Sequence, residues 1–309
     1  MRILVLTTSY PATPGDYRGS FVRDMALALA DRGHEITVLA PHPGGSASTE
    51  ERASGVTVKR VSAGPVRRQS LFGRFGVVET LRNEPLRLLE LPLSMAAYSI
   101  RAAWSARSHD LVVANWLVPC ALIAASLGRL PRGKPVVVVE HGGGVRLLAG
   151  MPGGSRLLSF IARHVAAVQC VARGQREASL DMLDWSDRDH LAGRSFTFPV
   201  PVADAPGLRG DAPNRFYFPP LKLLFAGRLV DVKGPLLLLK AFARTRNCVL
   251  HIVGDGPLKE KVEAYIDSQY LSDRVTMHGE LTRHSLSTLC AQCDVLVVPS
   301  EAGVNRLSE

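Results

Sequence analysis

A chain of 309 residues, 46% hydrophobic and 21% charged, has the make-up of an ordinary globular protein and room for two domains, which sets aside disorder and coiled coil. Its 27 glycines and 20 prolines are spread along the chain, which sets aside collagen-like and low-complexity sequence. Residues 1–200 hold 24 basic and 16 acidic residues of a chain whose net charge is +9, so the first part is expected to meet phosphates, nucleic acid or a lipid surface.

The chain opens on a short apolar strand, residues 3–6. A loop rich in Pro, Gly and small polar residues follows and ends at Gly19-Ser20. Apolar positions Phe21, Val22, Met25, Leu27, Ala28 and Leu29 then predict a helix, stopped by Gly33. Residues 36–40 read as a buried strand, completing a βαβ unit. Continuous apolar strands of this kind belong to parallel sheets covered on both faces. Further strands are expected at 56–61, 111–114, 136–139 and 165–168.

The 18 uncharged residues 111–128 include Asn115 and Pro119. They read as a strand, a turn and a core helix rather than a membrane span. Residues 67–107 carry seven arginines and three glutamates among Leu, Phe, Val, Met and Trp104, with helical spacing from Pro85 onward. Two readings stay open: an element that meets anionic lipid, or a helix pair with solvated arginines.

A Pro-rich passage, 201–220, separates a first domain, 1–200, from a second, 221–309. In the second the βα rhythm restarts. Strands are predicted at 221–226, 249–253, 274–278 and 294–298, and helices at 235–245, 258–268 and 283–291. The early Ile3–Leu6 run is too short for a secretory signal. Five cysteines, an odd number, imply reduced thiols and a cytoplasmic setting. Cys290 and Cys293 form a lone CxxC that reads as buried small residues. No GxGxxG, GxxxxGK[ST], HExxH or GxSxG occurs. Aromatics are 6% and no basic-aromatic interleaving appears, so a nucleic-acid partner is not expected.

What remains is a set of loops at strand ends, where α/β sheets bind ligands. After strand 221–226, Gly227 permits a tight turn, and Arg228 and Lys233 converge near a helix N-terminus. Two cations there suit a diphosphate. Gly254-Asp255-Gly256-Pro257 is a second such turn and Pro299-Ser300-Glu301 a third. Glu301 and Glu309 are about two helical turns apart and could accept hydrogen bonds from sugar or ribose hydroxyls. In the first domain, His141 stands at a strand end before Gly142, Gly143 and Gly144, where a substrate could approach the backbone.

These pieces, Gly227-Arg228-Leu229-Val230 with Lys233-Gly234, then Val253 to Pro257, then Asp294 to Ser300, resemble the retaining glycosyltransferases of family 4. That family has two Rossmann-like α/β domains with parallel sheets, the GT-B architecture, and the resemblance covers essentially the whole chain. It implies a glycosyltransferase that moves a sugar from a nucleotide-diphosphate sugar to a glycan or lipid-linked acceptor, with retention of configuration. It further implies that Arg228 and Lys233 bind the diphosphate and that Gly19 lies near it. His141 would contact the donor sugar, Glu301 the sugar and Glu309 the ribose, with no metal or other cofactor. The family turn often reads His-Gly-x-Asp, where this chain has Gly144. Family members continue past the position of Glu309. The chain therefore reads as truncated in its second domain, with weak or absent turnover expected. A non-catalytic sugar-nucleotide-binding relic and a sugar-nucleotide 2-epimerase are the alternatives. A cytoplasmic location with peripheral contact to the inner membrane face goes with the basic first domain.

Overall fold

The computed structural model describes residues 1–13, 16, 18–43, 50–62, 84–129, 133–200 and 220–300. The chain divides into two compact units, Met1–Val202 and Ala203–Glu309. The Pro-rich passage from 201 to 219 lies outside the described residues.

The first unit is built on an eight-stranded sheet. Its strands are β1 (Arg2–Leu6), β2 (Glu35–Pro41), β3 (Glu50–Ala53), β4 (Val56–Val61), β5 (Leu111–Asn115), β6 (Val136–Glu140), β7 (Ala167–Cys170) and β8 (Ser195–Thr197), in the order β3-β4-β2-β1-β5-β6-β7-β8. All pairs are parallel except β3 with β4. Ile3, Leu4, Val5 and Leu6 are all buried, as a strand covered on both faces requires. One face packs on α1 (Ser20–Ala30) through Val22 and Ala26. Gly33, at φ +83°, follows that helix. The other face is covered by α2 (Leu91–Ala106), α3 (Leu122–Gly128), α4 (Gly143–Ala149), α5 (Gly154–His164), α6 (Arg173–Asp181) and α7 (Trp185–Ala192).

The second unit holds β9 (Leu221–Ala226), α8 (Pro235–Phe242), β10 (Cys248–Val253), α9 (Lys259–Ser268), β11 (Val275–Gly279), α10 (Arg283–Gln292) and β12 (Val295–Leu296). Its sheet is parallel, in the order β11-β10-β9-β12. Each unit is thus a Rossmann-like α/β layer structure.

Several elements differ from their sequence reading. The strand expected at 165–168 runs from Ala167, because α5 uses the preceding residues through His164. The edge strand β3, Glu-Glu-Arg-Ala, carries no apolar alternation and gave no signal. Helix α4 begins Gly-Gly, which reads as loop. β12 pairs with β9 at only two positions, Val295 with Leu223 and Leu296 with Leu224. Residues 111–128 form β5, an irregular turn over Leu117–Ala121 and α3. Among the described residues, no helix is long and apolar enough to cross a membrane.

In both sheets the chain builds outward from one strand and then returns to its other side. β1 lies between β2 and β5, and β9 lies between β10 and β12. Loops diverge at such reversals and leave a crevice at the strands' C-terminal ends. The candidate residues gather at these two places.

Candidate functional site

In the first unit the crevice is floored by Asn115, the last residue of β5, which is fully buried. Its amide nitrogen donates to the Leu6 carbonyl at 3.2 Å, which fixes the amide's orientation. Its Oδ1 therefore faces His141 Nε2 at 3.0 Å. An amide oxygen only accepts, so Nε2 of His141 carries the proton and Nδ1 keeps a lone pair. Phe21, in the first turn of α1, and Trp116 flank the imidazole with ring centroids 4.7 and 5.0 Å away. Burial pushes the imidazole down from 6.5 to about 4, so it is neutral near pH 7. A groove of about 220 Å³ beside it combines Asn115 and His141 with apolar Phe21, Met25 and Phe198.

This shift makes a stability prediction. The unfolded chain binds a proton at 141 as pH falls through about 6.5, while the folded chain resists until about 4. Stability is therefore complete above about pH 6.5 and declines between there and about pH 4, by about 3 kcal/mol. Urea midpoints across that window should show the slope, and His141→Phe should flatten it.

Glu140 holds this corner together. It is fully buried at the end of β6. Its Oε1 accepts from the backbone N–H of Gly142 at 2.7 Å and of Gly144 at 2.9 Å. Its Oε2 accepts from Leu117 N–H at 3.0 Å. One carboxylate thus caps α4 and ties down the turn after Trp116, a residue at φ +67°. Gly142, at φ +103°, gives the backbone the left-handed conformation this needs. A Cβ on Gly144 would stand 2.6 Å from Glu140 Oε2 and 2.9 Å from Leu117 Cβ. The acid usual at that position in the resembled family has no room here, because Glu140 occupies it. Gly144→Ala is expected to destabilise the fold by about 1–3 kcal/mol, read from chemical denaturation. Of the three glycines, only Gly143 faces open space.

Gly19 closes the loop between β1 and α1 at φ +65°. Added bulk there would press on the Ser9 carbonyl. The loop is held from beneath by Arg60 of β4, whose guanidinium donates to the carbonyls of Tyr10 and Pro11 and lies 5.4 Å from the centre of the Tyr10 ring. Tyr98, on the inner face of α2, adds a second clamp. Its hydroxyl accepts from Thr7 N–H at 2.9 Å and donates to the Leu39 carbonyl at 2.7 Å. Through Phe21, the structure brings the Gly19 end of α1 to His141.

In the second unit, Arg228 and Lys233 lie on the loop joining β9 to α8. Both are exposed, and neither has an ion-pair partner among the described residues. Lys233 ends a short 3₁₀ turn, Asp231–Lys233, against Gly234 at φ +63°, where α8 begins with Pro235. Gly227 was expected to permit the turn. Its φ is not positive and a Cβ would meet only ordinary contacts. The glycines this site requires are Gly234, packed on the Pro299 carbonyl, and Gly254, at φ +134° on the Gly227 carbonyl. Leu229 N–H donates to the Asp255 carbonyl at 3.0 Å, and Leu258 N–H to that of Leu229 at 3.0 Å. These contacts draw the loops after β9, β10 and β12 into one rim, with Arg228 and Lys233 exposed on the first of them. That rim can take a diphosphate.

Glu301 and Glu309 lie outside the described residues. All five cysteines are free, and burial raises the Cys290 and Cys293 thiols, which makes them poor nucleophiles. Among the described residues no group of three or more His, Cys, Asp and Glu could hold a metal ion. Asn115, Glu140 and Arg60 were missed in the sequence. Of these, Glu140 alone left a signal in the sequence, a carboxylate directly before His141.

A family model described as a glycosyl transferase 4-like domain matches residues 19–192. A second, glycosyl transferases group 1, matches residues 212–304. The chain is similar to a D-inositol 3-phosphate glycosyltransferase of Paenarthrobacter aurescens strain TC1, at 26% identity over 321 aligned residues, 97% of this chain and 75% of that protein. Among solved structures it is similar to the sucrose-phosphate synthase of Thermosynechococcus elongatus, with TM-score 0.66 and 21% identity over 97% of this chain and 75% of that one. It is also similar to Anabaena HepE in complex with UDP and glucose, with TM-score 0.65 and 17% identity over 98% of this chain and 75% of that one. At these identities the structural likeness is one of fold.

Proposed function

The chain belongs to the glycosyl transferase 4-like family and is a glycosyltransferase of the GT-B type, and on that premise we propose that it takes its sugar from a nucleoside diphosphate. The observation that carries this reading is the exposed Arg228 and Lys233, without ion-pair partners among the described residues, on one strand-to-helix loop beside the start of α8. Fixed cations and a helix N-terminus stabilise both the bound diphosphate and the charge that grows on it as the glycosidic bond breaks. In this reading no metal or other cofactor is needed. HepE, of like fold, is described with UDP and glucose.

In the first unit, neutral His141 offers its Nδ1 lone pair to a hydroxyl of the donor sugar, and Gly19 gives the substrate close access to the backbone. Glu301 and Glu309 complete the donor contacts, to sugar and ribose. Transfer proceeds with retention to a glycan or lipid-linked acceptor. The protein works in the cytoplasm, where five free thiols stay reduced, in peripheral contact with the inner membrane face. Gly144 makes room for Glu140, which supports transfer over a relic.

The test is a thermal-shift panel of UDP, GDP and ADP with their common sugar conjugates. One nucleotide at about 100 times its Kd should stabilise the fold by about 2.7 kcal/mol. Product anomer determination by NMR then tests retention. No shift with any nucleotide would count against the donor reading.

A further inference from the structure

We propose that His251 and His278 are a positioning pair for the rim of the second unit, a proton-sensitive clip that sets how the Gly254 turn lies against the backbone of Arg228. The two imidazoles meet across the β10–β11 pairing. His251 Nδ1 and His278 Nε2 are 3.0 Å apart, and the ring centroids stand 5.2 Å apart with the planes at 39°. Both residues are half-buried. In a neutral imidazole one ring nitrogen donates and the other accepts, so a single N–H···N bond closes the contact.

The pair sits where the strand register breaks. Leu250, His251 and Ile252 face Val275, Thr276 and Met277 in turn, and then Val253 faces Gly279. His278 is the extra residue of this β-bulge, and Gly279 after it takes φ +65°. The Gly279 carbonyl accepts from the Gly254 N–H at 2.8 Å. Gly254 in turn lies against the Gly227 carbonyl, and the Asp255 carbonyl accepts from Leu229 N–H at 3.0 Å. The residues on either side of Arg228 therefore rest on a turn that is anchored to the bulge. Bulges re-aim the chain beside functional sites, and in this one the side chain that ties the extra residue down is titratable.

The surroundings make the clip respond to acid. Lys222 of β9 and His278 of β11 are the charged and titratable groups that act on His251. Asp294 is turned to the Lys222 backbone, accepting its N–H at 2.8 Å. Helix α10 covers Leu224 and Val253 beside the pair and brings the Cys290 and Cys293 thiols to that side. Glu280 and Arg283, between β11 and α10, have partners of their own. Burial, then His278 and the Lys222 ammonium, hold the His251 imidazole below its ordinary value. A folded value below the unfolded one means that the clip is intact above about pH 6.5 and weakens as pH falls through the folded value. A first proton places a charge beside Lys222. A second sets N–H against N–H and parts the rings, so the two titrate as a unit. That the rim binds a donor rests on the proposed function; the hold of the pair on the Gly254 turn does not.

The experiment compares the unaltered chain with His278→Gln, whose amide can take either side of the bond and does not titrate, and with His278→Ala, which removes the ring. Circular dichroism confirms that each folds. Hydrogen-exchange protection of the Gly254 amide and calorimetric affinity for UDP, GDP and ADP are measured at about pH 7.5 and about pH 5, on either side of the ordinary histidine value. One hydrogen bond amounts to an effect of about two- to tenfold. Gly254 protection should therefore fall by that factor on acidification of the unaltered chain and, at the higher pH, in His278→Ala. In His278→Gln it should change with pH by less than about twofold. Affinity for whichever nucleotide binds should follow the same pattern, since ionisation of the nucleotide itself is common to all three proteins and cancels in their ratios. Gly254 protection that ignores His278→Ala, or a pH dependence equal in the unaltered chain and His278→Gln, would each overturn the proposal. If His278→Ala does not fold, the comparison with His278→Gln decides. Exchange at Gly254 needs no nucleotide, so a turn that responds to His278 while no nucleotide binds marks a failure of the donor reading and leaves the clip standing.

Discussion

Replacing Arg228 and Lys233 together by alanine is expected to lower kcat/KM for the nucleotide sugar by about two to four orders of magnitude. Hydrogen bonds to charged groups contribute about 1.5–3 kcal/mol each, so two cations on one diphosphate amount to about 3–6 kcal/mol, at about 1.4 kcal/mol per tenfold change. Both side chains are exposed and have no ion-pair partner among the described residues, so the folded state loses little with them. Exposed substitutions of this kind shift stability by about 0.5 kcal/mol or less. Titration calorimetry with the nucleoside diphosphate separates the two effects. Nucleotide affinity that survives the double change would sink the diphosphate assignment. Arg228→Lys should recover only part of the loss, because an ammonium cannot reproduce the guanidinium's two parallel donors.

Glu140→Ala is expected to have the largest effect on stability. It strands three backbone N–H groups, those of Leu117, Gly142 and Gly144. A buried donor left without a partner costs about 1–3 kcal/mol. The sum, about 3–9 kcal/mol before any water enters, is comparable with the total stability of a domain. Glu140→Gln is the informative companion. Its amide oxygen can keep Gly142 and Gly144, while its NH2 group then meets the Leu117 N–H, donor against donor. That variant should fold, lose about 1–3 kcal/mol, and lose activity in kcat more than in donor KM, because the turn after Trp116 shifts beside His141. Urea denaturation with steady-state kinetics checks both. A Glu140→Ala protein within about 1 kcal/mol of the parent would show that the three bonds are dispensable.

How much of this was legible beforehand follows from the kind of signal each residue leaves. Fully buried strands such as β1, β5 and β6 are continuous apolar runs, and their parallel pairing followed from the helices between them. The loop of Arg228 and Lys233 was visible because charges and glycines stood at a strand end. The charged edge strand β3 and the glycine-led α4 carry no period, and they were not read. The glycine assignment in the second unit went to Gly227, whereas the left-handed backbone falls at Gly234 and Gly254. A glycine's φ is set by the loops it touches, and spacing does not encode that. The partners of His141 were hidden for a related reason. Asn115 lies 26 residues away in sequence, and only the strand order β5-β6 makes them neighbours. Glu140 precedes His141 in sequence, but one of its three backbone donors, Leu117 N–H, is 23 residues away and reaches it only through the fold.

The two-residue pairing of β12 has a consequence for hydrogen exchange. β9 is bonded along six positions to β10 but along only two to β12, and Val295, Leu296 and Val298 are largely exposed. Amides of β12 and of the following Pro299 turn should therefore exchange through local opening, well before those of β9 and β10. Yet the Pro299 carbonyl is the surface on which Gly234 rests, and so it forms one side of the rim proposed to bind the donor. A ligand that binds only the closed rim must suppress that opening in proportion to its own affinity. The exchange rate of a few amides at this edge would then serve as a gauge of donor binding that needs neither an acceptor nor turnover.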